Sequence, residues 1–141
     1  LAIATYLARR GLKKKSLDQS GALAAFFVGF TSFVVSYRLG LILILFYQSS
    51  SSLTKYKGEV KKKIEADYLE GGQRNYVQVL SCSFLATVIA IVYFVMEGDD
   101  ISINWQQQPV GSFLLCSYLG HYACCNGDTW ASELGVLDPN P

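Results

Sequence analysis

The stretch from Val77 to Met96 contains no Asp, Glu, Lys, Arg or His. It limits the possible folds of this chain more than any other feature. A helix needs about 20 apolar residues, at about 1.5 Å each, to cross roughly 30 Å of hydrocarbon. Val77–Met96 meets that length, and its middle, Phe84 to Val95, is apolar on every side. Burying it in a soluble protein would require several such helices to share one small core. Two more stretches suit lipid: Gly21–Tyr47, whose one charge is Arg38, and Val110–Asn126, whose one titratable imidazole is His121. Leu1–Ala8 reads as the tail of a further, truncated span. Charged residues are 16% of the chain and apolar ones 51%, against about a quarter charged in soluble domains. These features exclude a disordered chain. They predict an all-α, polytopic helical integral membrane protein with the lipid bilayer as its first partner.

Charge placement gives an expected orientation. Arg9, Arg10, Lys13, Lys14 and Lys15 precede Gly21, and Lys55, Lys57, Lys61, Lys62, Lys63 and Arg74 fill the linker from Gln48 to Tyr76. The linker from Glu97 to Pro109 carries only Glu97, Asp99 and Asp100. The positive-inside rule puts both basic linkers on the cytosolic face and the acidic one opposite. Gly21–Tyr47 must then enter and leave by one face, although it is too short for two full crossings. A re-entrant pair, broken at Arg38 and Gly40 and returning through Leu41–Tyr47, satisfies this. The alternative is a single tilted helix with one basic linker on the other side.

Within the second basic linker, Leu53, Tyr56, Val60, Ile64 and Tyr68 recur at three- and four-residue spacing. The spacing predicts a basic amphipathic helix over 53–70 at the headgroup level, stopped by Gly71-Gly72. It would serve either as an anchor or as one wall of an anionic-substrate site. Ser49–Ser52 ahead of it reads as a hinge or N-cap, or as hydroxyls that hold phosphate. Arg74 suits bidentate phosphate recognition, with Asn75 beside it.

Gly127-Asp-Thr-Trp-Ala-Ser-Glu133 ends the last apolar stretch. Carboxylates there are costly unless they are paired or face water. Asp128 and Glu133 diverge by about 140° on a regular helix, so one ion could not easily be shared between them. A magnesium ion needs few protein carboxylates when phosphates and water complete its shell, so Asp128 is the candidate ligand. Asp128 as the N-cap of a helix starting at Thr129 is the competing explanation. His121, Cys124, Cys125 and Asp128 fall at i, i+3, i+4 and i+7, which reads as interface packing, with a metal face as the lesser alternative because adjacent cysteines make poor joint ligands. Cys82 and Cys116 read as small apolar fillers, and Tyr93 and Trp105 as interfacial anchors. The four cysteines have neither paired-CxxC zinc spacing nor the density of a disulfide scaffold. A net charge of +1 argues against a nucleic-acid partner. No catalytic triad, Walker loop or Rossmann turn is present. The chain opens on Leu1 and its one methionine is Met96. It therefore reads as a piece of a longer protein, and the remainder of its own chain is an expected partner.

Gly11-Leu-Lys-Lys-Lys-Ser-Leu-Asp18 with Ser20-Gly-Ala-Leu23 resembles the opening motif of the transmembrane protein 19 family. So do Ser51-Ser-Leu-Thr-Lys-Tyr-Lys-Gly-Glu-Val-Lys-Lys62, Glu70-Gly-Gly-Gln-Arg-Asn-Tyr-Val-Gln-Val79 and Gly127-Asp-Thr-Trp-Ala-Ser-Glu133. Order and spacing fit from about Gly11 to Gly135, most closely to animal-type members. The resemblance implies a multi-pass helical protein; the sequence names no organelle, and an endomembrane is only a guess at the compartment. Plant relatives in that family are phytyl-phosphate kinases, in which a nucleotide phosphorylates an isoprenoid phosphate. By that analogy the cofactors are a nucleoside triphosphate and Mg2+. Asp128 and Glu133 would be catalytic, with Asp128 on the metal, while Lys13, Ser51, Lys55, Arg74 and Asn75 bind substrate phosphate. The competing expectation is a non-catalytic membrane protein, a transporter part or scaffold, whose charges set topology and helix pairing.

Overall fold

In a computed structural model, residues 2–58, 60, 73–98 and 100–137 are described. They form five helices: α1 (Ala2–Lys13), α2 (Gln19–Val35), α3 (Tyr37–Lys55), α4 (Tyr76–Glu97) and α5 (Pro109–Gly135). No strand occurs among the described residues beyond one isolated parallel bridge between Leu17 and Arg74.

The ends of these helices follow from local chemistry. Asp18 caps α2, its carboxylate accepting from the Gly21 amide at 2.6 Å and the Ser20 hydroxyl at 2.7 Å. Those bonds hold the Asp18 carboxyl below the usual carboxylate range. Asn75 caps α4 in a reciprocal capping box with Gln78. Gly98, at φ 73°, closes α4 in a conformation that side chains disfavour. Pro109 opens α5 where no amide donor is needed.

Gly21–Tyr47 is neither a tilted single helix nor a pair broken at Arg38. The chain turns at Ser36, one extended residue whose hydroxyl accepts from the Arg38 amide at 3.1 Å. Gly40 sits just inside the return arm and leaves room for the Phe33 ring. That arm does not stop at Tyr47 but runs through the serine run to Lys55. Two antiparallel helices of 17 and 19 residues result, about 26 and 28 Å long at 1.5 Å per residue. Ser49–Ser52 is therefore helix interior, not hinge or cap, and Ser50 is fully buried. The amphipathic helix expected over 53–70 begins instead inside α3 at Leu53–Lys55. The chain leaves the helical path at Tyr56 (ψ 125°) and Lys57 (φ 51°), and residues 61–72 lie outside the described residues. Asp128 is no N-cap either, because α5 starts at Pro109 and continues past it.

Tyr93, Tyr118, Tyr122, Leu39 and Phe46 pack with Ala86, Ala90 and Leu115 in the core where α3, α4 and α5 meet. Phe46 and Tyr122 meet at a tilt of 38° with ring centres 5.0 Å apart, and Tyr118 meets Tyr122 edge-on at 5.1 Å. The Tyr118 hydroxyl lies 3.1 Å from both Ser32 Oγ and the Leu39 carbonyl oxygen, joining α5 to the α2–α3 hairpin. Tyr93 is a core residue rather than an interfacial anchor, and its hydroxyl accepts from the Ile101 amide. Trp105 is exposed.

Outside that core the surface is apolar. Only 22% of the most apolar window of α4 is buried, and Phe84, Leu85 and Val95 stand exposed. A core helix of a soluble protein would be covered; here that face is left for lipid or further protein to cover.

Candidate functional site

The helices sort the polar groups to two ends of the bundle. At one end Ser36 donates to Asp100 Oδ2 at 2.7 Å, and the Arg38 guanidinium lies 3.7 Å from the same carboxylate and donates to the Ile101 carbonyl. Arg38 is thereby matched to the acidic linker. The opposite end gathers the last turn of α1, the start of α2, the end of α3, the start of α4 and the last turns of α5. Both basic segments meet there, so far as they are described.

Arg74 is held there by its backbone. Its amide donates to the Ser16 carbonyl at 3.1 Å and its carbonyl accepts from the Asp18 amide at 3.0 Å. Gly21 makes this approach possible, because a Cβ at that position would fall on the Arg74 carbonyl oxygen. The Arg74 side chain reaches Thr54 Oγ1 at 3.5 Å, and that hydroxyl in turn donates to Glu133 Oε1 at 2.6 Å. A half-buried cation, hydroxyl and carboxylate from three separate segments thus form one chain of contacts. Nearby, Asn126 Oδ1 accepts from Ser49 at 2.7 Å and Ser50 at 3.2 Å, tying α5 to α3.

Two hollows flank this chain. Arg74, Gln78 and Thr129 lie in the wall of an apolar cavity of about 260 Å³, otherwise bounded by residues such as Val28, Leu43 and Phe46. A smaller cleft of about 100 Å³ lies between α1 and α3 and is lined by Arg10, Lys14, Ser51 and Lys55. Leu7 and Tyr47 belong to the walls of both. Lys55 donates to the Lys14 carbonyl at 2.9 Å, and burial, helped by the Lys14 ammonium, pushes its own ammonium below the usual lysine range.

The expected site residues divide accordingly. Arg74 joins Glu133 through Thr54, while Ser51 and Lys55 lie on the α1 side in the cleft. Lys13 is exposed at the end of α1. The Asn75 carboxamide oxygen is occupied as the α4 cap. Asp128 is exposed on α5, and the two carboxylates do not converge. Among the described residues no group of three or more His, Cys, Asp or Glu side chains could hold a metal. His121 donates through Nε2 to the Cys82 carbonyl at 2.8 Å, a tautomer fixed because a carbonyl only accepts. Cys125 Sγ lies 3.7 Å from the same nitrogen. Thr54 was not legible as a site residue, since its partners lie 20 and 79 positions away.

An all-helical bundle with a mostly uncovered 22-residue apolar helix, and with its described charges near the ends, has the build of an integral membrane protein. Residues 2–141 match the model of the integral membrane protein family DUF92, and the chain belongs to that family. It is 43% identical over 136 residues to "Protein PGR" of Arabidopsis thaliana, an alignment covering 96% of this chain and 47% of that protein. The chain thus spans about half the length of that curated relative. No solved structure matches it.

Proposed function

We propose that the protein is a multi-pass member of the transmembrane protein 19 branch and takes part in nucleotide-dependent phosphorylation of an isoprenoid phosphate. The observation that carries this reading is the position of Arg74, in the wall of an apolar cavity and linked through Thr54 to Glu133. An isoprenyl phosphate has those two parts, an apolar chain and a dianionic head. The cavity takes the first isoprene units, and the exposed apolar helix faces take the rest. Arg74 holds the head, whose planar fork suits two phosphate oxygens, and Glu133 fixes the guanidinium through the Thr54 hydroxyl.

Phosphoryl transfer is mostly positioning and charge neutralisation. An oxygen of the lipid phosphate forms a bond to the terminal phosphorus of a nucleoside triphosphate. The bond from that phosphorus to its bridging oxygen breaks, and a nucleoside diphosphate leaves. The separation of Asp128 from Glu133 does not fit a shared two-carboxylate ion site, so no step here runs through one. Asp128, exposed on α5, would be the carboxylate that meets a magnesium ion arriving on the nucleotide.

In this arrangement both basic segments face one side of the bilayer, with α2 and α3 crossing as a hairpin. The alternative is a non-catalytic scaffold, supported by the way Arg38 pairs with Asp100 and Asn75 serves as a cap. The full-length protein in nanodiscs, given a nucleoside triphosphate and prenyl phosphates, separates the two readings. Transfer that is lost in Arg74→Gln supports the kinase. Absence of transfer to any prenyl phosphate supports the scaffold.

A further inference from the structure

We propose that the cleft between α1 and α3 is a second phosphate-group site, separate from Arg74, that receives the terminal phosphate of a soluble polyphosphate. It deepens the kinase reading, on which it rests for the identity of the ligand, but the anion site itself stands on the cleft.

Arg10 and Lys14 come from the last turns of α1 and the residue after it, and Ser51 and Lys55 from successive turns of α3. No carboxylate lines this cleft among the described residues. Three cationic side chains therefore share a small concave space with no anion in its walls. The like charge of Lys14 helps depress the Lys55 ammonium, as expected where positive charge is concentrated. Lys55 uses one of its three N–H donors on the Lys14 carbonyl.

Ser51 is the second observation. Hydroxyls in a helix usually bond back to a carbonyl three or four residues earlier. Ser81 and Thr87 do this, to Val77 and Ser83. The Ser51 hydroxyl is buried and has no hydrogen-bond partner among the described residues, and Ser51 is one of the residues that line the cleft.

Size selects the ligand. About 100 Å³ is several times the roughly 10–15 Å³ that one water needs by this measure. That is room for one tetrahedral oxyanion but not for a nucleoside. The cleft would thus grip the end of a polyphosphate while the rest stays outside. Its cationic side chains suit a soluble polyanion, and the apolar cavity beside it suits the lipid. Leu7 and Tyr47 line both hollows, so the two are immediate neighbours.

The test uses the full-length protein in nanodiscs and two probes, inorganic pyrophosphate and farnesyl phosphate, with binding measured by calorimetry. Pyrophosphate is expected to bind saturably. Lys55→Gln should weaken it about tenfold or more, the effect of losing one charge-assisted hydrogen bond, and Lys55→Arg should restore most of it. Ser51→Ala and Arg10→Gln should weaken it too, which keeps the test decisive if Lys55→Gln fails to fold. Farnesyl phosphate should be insensitive to Lys55→Gln and weakened by Arg74→Gln. Pyrophosphate that does not bind, or binds equally well to all three cleft variants, overturns the site. Farnesyl phosphate that instead depends on Lys55 overturns its separateness. Saturable pyrophosphate binding with no binding of any prenyl phosphate retires the lipid-kinase reading and leaves the cleft standing.

Discussion

Gly21 is a position where two physical effects predict opposite signs, so Gly21→Ala is an informative perturbation. It is the third residue of α2, and replacing glycine by alanine inside a helix gains up to about 1 kcal/mol from propensity alone. Here the added methyl would land on the Arg74 carbonyl oxygen, which is backbone and cannot rotate away. Relief requires the 73–75 segment to lift, losing the bonds from the Asp18 amide to Arg74 and from the Arg74 amide to Ser16. At about 1 kcal/mol each, those losses outweigh the propensity gain, leaving a net destabilisation of about 1–2 kcal/mol. Gly127 is the control: it lies in α5, and a Cβ there meets nothing within 4 Å. Gly127→Ala should stabilise by up to about 1 kcal/mol. Thermal unfolding in detergent reads both signs. Amide exchange at Asp18 and Arg74 should accelerate in Gly21→Ala alone. A Gly21→Ala protein as stable as Gly127→Ala, with both amides still protected, would refute the close approach on which the placement of Arg74 depends.

Other consequences can be measured in the same preparations. Tyr118→Phe should cost about 0.5–1.5 kcal/mol and leave the helical signature intact, since Ser32 keeps its bond to the Val28 carbonyl; no change in melting would remove the hydroxyl from the α5–hairpin contact. Ser36→Ala should cost about 1 kcal/mol as a lost cap and expose Asp100 to faster labelling by carboxyl reagents. The Asp18 carboxyl is depressed in the folded state, so its contribution is present above the unfolded value of 3.8 and fades as pH falls through the lower folded value. Exchange at the Gly21 amide, corrected for its intrinsic pH dependence, should therefore lose protection below pH 3.8 in the parent and show no such step in Asp18→Asn. In the transfer assay, Glu133→Gln and Thr54→Val should raise KM for the lipid phosphate, whereas Asp128→Asn should spare that KM and act on nucleotide use; the reverse pattern would exchange their roles.

Local patterns in this chain were readable and pairings across the chain were not. Val77–Met96 lies one residue inside α4 at each end because an uncharged apolar run has few other solutions. Ser36 was missed because Arg38 and Gly40 draw attention in a continuous apolar stretch, although a serine before Tyr37-Arg38 is a plausible cap. The helix from Val110 does not end at Asn126. Thr129 and Ser132 satisfy their hydroxyls on carbonyls one turn back, and the hydrophilic residues beyond Asn126 sit at the exposed end of the bundle or, like Glu133, meet α3. Asn75 with Gln78 is a legible capping box, yet its neighbour Arg74 invites a ligand role for both. The convergence of Thr54, Arg74 and Glu133, by contrast, depends on the packing of three elements, and no spacing rule encodes it.

The one-residue elbow at Ser36 bears on how the protein reaches its membrane. With a single extended residue between them, α2 and α3 have little slack to part company, so under the proposed hairpin topology the two arms would enter lipid together. Insertion machinery would meet the pair as one folded cargo. The arms carry their own fastening, from Ser36 to Asp100, only once the next hairpin has arrived, so assembly of the bundle is ordered from its first turn.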